Sequence, residues 1–265
     1  MKKFLIVSLI LFSFNAFAQS ELASALKKAE AGDVEAQHGV GLYYFHAGNA
    51  AEAEKWFARA YSKGNYDSAV MLGNIYLNSS DPKVQEKAYK PLKDASDKAN
   101  SVAAQVNLGY MYHEGKGVAK DLSQSRLWLM KAAKQVYPED TDLSHLPVEE
   151  REKTAERIRA ISQAQFMLGL MYEHGEGVVQ DTQQASMYFR LSARHGYTEA
   201  QVSLGNLFYE GQIGFTNDLV TGCAWLYIPN DPKVQEKCDK ELDESEKRRA
   251  ISLRDELKKR YPLIN

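Results

Sequence analysis

The sequence predicts an all-α fold, a solenoid of stacked antiparallel helix pairs, and three observations predict it. A phrase of the form Ala-x-x-x-x-Gly-x-x-Tyr recurs at Ala36/Gly41/Tyr44, Ser68/Gly73/Tyr76, Ala104/Gly109/Tyr112, Ala164/Gly169/Tyr172 and Ala200/Gly205/Phe208, with glycines 32, 36, 60 and 36 residues apart. Four residues before four of these phrases stands Gly32, Gly64, Asn100 or Gly196, where a helix must end in the left-handed conformation that Gly and then Asn tolerate best. After each phrase comes an Asp or Asn suited to an N-cap, at Asn49, Asp81, Asp121, Asp181 and Asp218. Units of this kind cannot each close a core, so they stack on their neighbours.

Residues 1–18 read as a secretory signal. Lys2 and Lys3 form a charged start, Phe4 to Phe14 an apolar run, and Ala16-Phe17-Ala18 a cleavage site before Gln19. The run is too short to span a bilayer in a folded protein, and no cysteine stands at the cut. The expectation is a soluble protein exported to the periplasm of a Gram-negative bacterium, with no membrane insertion. Without Lys2 and Lys3 the chain carries 31 basic and 35 acidic side chains, a net charge of about −4. No basic stripe offers itself to nucleic acid.

The mature chain, 19–265, is expected to form a single repeat domain. Its repeats fall at about 32–63, 64–99, 100–137, 160–195 and 196–229. Helix A of each repeat runs from the Ala through the Tyr, and its glycine, which costs about 1 kcal/mol of helix propensity, is expected to admit a neighbouring helix closely. Helix B carries small and aromatic residues at helical spacing, as in Ala53, Trp56, Ala60 and in Ala185, Tyr188, Ser192. Repeats one and two lack the Gly-x-Gly-Val turn of repeats three and four, and repeat five stretches it in YEGQIGFTND.

Between repeats three and four an insertion covers 137–160. Its first part is acidic and turn-rich; the second has Ala155, Ile158 and Ile161 at helix spacing and is expected to extend the next helix A. Residues 231–265 leave the repeat pattern. Asp243 and Glu246 predict a capping box, Ala250, Leu253 and Leu257 an apolar stripe, and Lys258-Lys259-Arg260 complement a helix C-terminus, so a terminal helix is expected to cap the stack. Cys223 and Cys238 stand about equally far from the break at Pro229-Asn230-Asp231-Pro232. In an oxidising compartment they are expected to form a disulfide stabilising by about 3 kcal/mol.

The stretch GYMYHEGKGVAKD, Gly109 to Asp121, raises metal and phosphate chemistry, with His113 beside Glu114 and Lys116 between glycines. Its counterpart GLMYEHGEGVVQD, Gly169 to Asp181, keeps the glycines, apolar residues and aspartate but swaps the rest to Glu173-His174 and Glu176. A metal site fixes which group points where and a phosphate loop keeps its lysine, so the shared letters are read as punctuation between helices. The histidines at 38, 46, 113, 145, 174 and 195 show no zinc-ligand spacing. Ser24 and Lys27 fit Ser-x-x-Lys, the nucleophile motif of penicillin-recognising enzymes, without its companion motifs. No metal, cofactor or catalytic residue is expected.

The segments LGYMYHEGKGVAKDLSQSRLWLMKAA and LGLMYEHGEGVVQDTQQASMYFRLSARHGYTEAQ resemble the Sel-one-like repeat, a relative of the tetratricopeptide repeat, and the resemblance covers nearly the whole mature chain. It implies a right-handed superhelical solenoid and says little of activity, since its signature residues are structural. Helix A is apolar on two sides, and its second side is expected to form a protein-binding groove. Tyr110, Phe166 and Leu170 are the expected anchors, with Val106 beside them and Asn74 and Asn206 pairing with the partner's backbone. The resemblance further implies an envelope protein that binds a partner, and a non-enzymatic, monomeric chain that sequesters it is expected, such as an immunity protein neutralising a type VI effector, for example a phospholipase. A general envelope adaptor is the nearest alternative, and a hydrolase of β-lactam or cell-wall substrates the alternative of another class.

Overall fold

The computed structural model describes residues 21–135, 146–211 and 218–261, and among these there is helix and turn but no strand. The expected signal, residues 136–145 of the acidic first part of the insertion, and 212–217 of the stretched turn in repeat five lie outside the described residues. In chain order the helices are α1 (21–30), α2 (Val34–His46), α3 (Ala50–Ser62), α4 (Tyr66–Leu77), α5 (Pro82–Glu86), α6 (Tyr89–Ala99) and α7 (Val102–Glu114). They continue as α8 (Leu122–Ala133), α9 (Val148–His174), α10 (Thr182–Arg194), α11 (Thr198–Glu210), α12 (Leu219–Leu226), α13 (Pro232–Glu241) and α14 (Glu244–Arg260).

The boundaries follow from local chemistry. Asn49, Asp81, Asp121, Asp181 and Asp218 each accept a backbone N–H of the first turn of the helix that follows, and Asp121 and Asp181 accept two. Each such cap is worth about 1 kcal/mol, because it satisfies donors that the helix itself leaves orphaned. Asp33 and Asn65 do the same for α2 and α4. The turn before helix A runs through positive φ at Gly32, Gly64, Asn100 and Gly196, and Asn100, at φ 50°, is the one that is not glycine.

The chain divides into two compact units. The first reaches Asn107 and includes Lys116–Val118; the second holds Leu108–Gly115 and everything from Ala119 onward. In the first, α2 pairs with α3 and α4 with α6, around buried Val40, Ala53, Trp56, Phe57 and Leu72. Here the helix B expected from Asp81 is broken into α5 and α6 about Lys87 and Ala88. In the second, α9 packs on α8 and α10, and α11 on α10 and α12, around buried Leu129, Leu168, Phe189, Leu204 and Leu207. α9 is 27 residues long because the helical half of the insertion joins helix A without interruption, burying Ala155, Ile158 and Ile161.

The repeat glycines are where helices A and B of one repeat meet. Gly41 lies against Phe57, Gly73 against Leu92, Gly109 against Leu129, Gly169 against Phe189 and Gly205 against Leu226. A β-carbon at any of these positions would fall 2.5–2.8 Å from the facing side chain, inside van der Waals contact. The propensity that glycine forfeits is thereby exchanged for close packing of the pair.

The second unit ends in a tethered cap. Cys223 of α12 is joined to Cys238 of α13, and both are fully buried. α14 opens with a capping box made by Asp243 and Glu246 and packs against α12 through buried Ala250. After it, Tyr261 stacks on Trp225 with ring centroids 6.2 Å apart.

Candidate protein-binding surface

Each expected groove residue is placed by the element that carries it. In the first unit, Val106 of α7 is 2% exposed, so the expectation that it lines a groove is corrected: it is a core residue. Asn74 of α4 is half-buried, and its side-chain oxygen accepts a hydrogen bond from Asn107 Nδ2 at 2.7 Å. That amide joins the helices A of successive repeats, which leaves its acceptor engaged within the chain.

In the second unit, Phe166 of α9 lies with its ring centroid 5.7 Å from Phe189 and 5.4 Å from Tyr197. It packs against the cluster of α10 and α11 and, like the other expected anchors, is half-buried. Leu170, one turn on, leans on the same core cluster but is only half-buried. Tyr110 and Asn206 are half-buried as well. The expected face in this unit is therefore half-buried at Tyr110, Phe166, Leu170 and Asn206 alike.

Ion pairing that repeat comparison passes over appears at the C-terminal end of α7. His113 Nδ1 lies 2.6 Å from Glu114 Oε1, and Nε2 lies 2.8 Å from Glu176 Oε2 in the turn after α9. Both ring nitrogens face carboxylates, an arrangement that favours the doubly protonated imidazole. Burial works to lower its pKa, but the hydrogen bonds to Glu176 and Glu114 outweigh it, and the pKa is raised above the ordinary histidine value. The swapped His-Glu and the Lys-to-Glu change between repeats three and four, read from sequence as scrambled chemistry, thus include a clasp from one repeat to the next. Glu173, half-buried at the end of α9, has its carboxyl pushed up by burial and by the charge of Glu210.

A second feature was missed. Gln37, Gln105, Gln165 and Gln201, each directly after the Ala of the phrase, are all buried. Gln37 Nε2 donates to Ala29 O, Gln105 Nε2 to Asn100 Oδ1 and Gln201 Nε2 to Ala193 O. Gln37 and Gln201 thereby tie helix A to a carbonyl at the C-terminal end of the preceding helix, and Gln105 reaches the side chain of the C-cap Asn100. The signal lay in the sequence as a recurrent Ala-Gln pair.

Candidate chemistry finds no enclosure. Ser24 and Lys27 are both exposed on α1. Among the described residues no group of three or more His, Cys, Asp and Glu is arranged to hold a metal ion, and no helix is long and apolar enough to cross a membrane.

Comparison with known proteins supplies the rest. The Sel1 repeat model matches residues 34–65, 102–137, 162–197 and 198–228. The Sel1-repeat-containing protein YjcO of Escherichia coli (strain K12) is 30% identical over 219 residues, covering 81% of this chain and 86% of that one. The ERAD-associated E3 ubiquitin-protein ligase component HRD3 of Candida glabrata is 41% identical over 69 residues, 26% of this chain and 8% of that one. Among solved structures, a putative sel1 repeat protein from Klebsiella pneumoniae subsp. pneumoniae has a TM-score of 0.50 at 22% identity, covering 83% of this chain and 98% of that one, a likeness of fold alone. A protective antigen of uropathogenic Escherichia coli with an SLR fold gives a TM-score of 0.49 at 27% identity, over 91% of this chain and 56% of that longer one. The repeated helix pairs and their glycine contacts agree with the family model and with YjcO: the chain belongs to the Sel1 repeat family.

Proposed function

We propose that the chain is an exported, non-enzymatic repeat protein that binds and holds a partner protein, in the manner of an immunity protein that sequesters a toxic effector delivered into the envelope. The observation that carries this reading is a division of labour within helix A. The repeated letters, the glycines, alanines and glutamines, are spent on packing one helix against the next. The letters that vary, at Tyr110, Leu170 and Asn206, keep part of their surface accessible. A framework held constant beneath variable half-exposed side chains suits selective recognition of one protein surface. The buried Cys223–Cys238 disulfide supports export, since such bonds persist in oxidising compartments.

The test is purification of the tagged, processed protein from periplasmic extract, with mass spectrometric identification of what comes with it. The reading expects one protein in a one-to-one complex and no turnover of β-lactam or cell-wall substrates. In the double variant Tyr110→Ala/Leu170→Ala, affinity should fall by about tenfold or more, the loss expected for interface anchors. Undiminished affinity in that variant, or a hydrolytic activity abolished by Ser24→Ala, reverses the reading.

A further inference from the structure

Comparison of equivalent positions between repeats singles out Arg126. Five residues after the N-cap of helix B, repeat one has Glu54, whose Oε1 accepts a 2.9 Å hydrogen bond from the hydroxyl of Tyr76, the phrase tyrosine of repeat two. The same position in repeat three is Arg126, and the phrase tyrosine of repeat four is Tyr172. The acid has been replaced by a cation, and the repeat supplies nothing to answer it. Arg126 Nη1 has only the thioether of Met130, 3.6 Å away, and Nε is closed off from solvent with no acceptor. Among the described residues no carboxylate pairs with this half-buried guanidinium.

The repeat equivalence sets Tyr172 opposite Arg126, on α9 where it packs against α8, and Tyr172 is part of an aromatic wall. Tyr172 and Tyr188 stack with centroids 5.7 Å apart and planes inclined by 11°. Burial raises the Tyr188 pKa, with the Tyr172 phenol adding to the rise, while the charge of Arg126 acts in the opposite direction, which places the cation within electrostatic reach of the pair. A half-buried guanidinium without an anion keeps donors that a ligand from outside can fill.

We propose that Arg126, Tyr172 and Tyr188 form a receptor for a carboxylate, supplied by an acidic side chain or the chain terminus of the bound protein. The guanidinium offers a planar fork that matches two carboxylate oxygens, and the tyrosine hydroxyls are further donors. Met130, an unbranched thioether standing at the acceptor position, is the group that moves aside. The protein source of the carboxylate rests on the proposed function; the site itself does not.

The experiment compares melting temperatures of the full chain in sodium acetate and in sodium chloride at matched ionic strength, with Arg126→Met and Tyr172→Phe beside the wild type. Acetate should raise the wild-type melting temperature saturably. Arg126→Met should lose that response and melt in chloride at or above the wild type, because an unanswered cation has been removed. Tyr172→Phe should weaken acetate by about threefold to tenfold, the loss of one hydrogen bond to a charged group. Titration of the Arg126 Nε–H resonance reports the same event without a stability readout. Equal responses to acetate and chloride, an acetate response that survives in Arg126→Met, or an Arg126→Met protein that melts well below the wild type overturns the site. A peptide with a free terminal carboxylate should bind where its amide does not, and preference for inorganic phosphate overturns the carboxylate assignment. A partner that co-purifies undiminished with Arg126→Met overturns this site while leaving the proposed function standing.

Discussion

A β-carbon built on Gly169 would sit 2.5 Å from the ring of Phe189, whereas one built on Gly39, in α2, meets nothing within 4 Å. The two glycines therefore answer alanine with opposite signs. At Gly39 the substitution gains helix propensity and should stabilise by up to about 1 kcal/mol. At Gly169 the same gain is set against overpacking of about 1–3 kcal/mol, and the net change should be a loss. Urea midpoints of the two single variants check the pair, and similar midpoints would mean that the glycine contact is not what spaces the helices. His113 makes a second residue-scale prediction. Its pKa is raised in the folded chain, so the clasp to Glu114 and Glu176 contributes fully below the ordinary histidine value of about 6.5 and is lost as pH rises through the higher folded value. Glu176→Gln removes the carboxylate that bridges repeats. The wild type should lose melting temperature relative to that variant as pH rises above about 6.5, and parallel curves would show the clasp to be inert.

At the scale of the element, caps and turns were legible because their causes are local. An Asp that accepts first-turn N–H groups, or an Asn forced to φ 50°, acts within a few residues of chain. The glycine contacts were legible in kind, since a helix interior admits glycine only where something else gains. The side of helix A that stays accessible was not legible. Val106 shares the helical arc of Tyr110, Phe166 and Leu170, and only the neighbouring helices decide that it alone of these is buried. Outside the Gly–Tyr phrase the chain also repeats an identical heptapeptide, at Asp81–Lys87 and Asp231–Lys237. Both copies start a helix with an Asp cap followed by Pro, both set their last lysine over a tyrosine ring (Lys87 over Tyr76, Lys237 over Tyr209), and both bury the residue that follows, Ala88 and Cys238. The segment read from sequence as leaving the repeat thus begins with a reused part of it. The buried glutamines make the element-scale prediction. Gln201→Leu removes the donor to Ala193 O from a fully buried site and should cost about 1–3 kcal/mol, and a cost within the error of urea unfolding would show that the amide does not tie α11 to α10.

For the whole molecule, repeats that touch only their neighbours make stability a sum of local terms, so damage in one unit need not spread to the other. The disulfide lies entirely in the second unit, closing the short loop between Cys223 and Cys238, where it restricts the unfolded chain by about 3 kcal/mol. Both sulfurs sit in the cluster of Leu226, Tyr227, Leu242 and Ala250, so the bond also fixes how α13 and α14 cover α12. Reduction should therefore act on one end of the chain. Hydrogen exchange followed by mass spectrometry, with and without reductant, should show faster exchange in α12, α13 and α14 and unchanged protection in α2, α3 and α4, which have a core of their own around Phe57 and Leu72. Cys223→Ala/Cys238→Ala should behave as the reduced protein does and should ignore reductant. Uniform loss of protection along the chain would mean that the units unfold as one cooperative body, and protection unchanged throughout would mean that burial of α12 by α14 suffices without the bond.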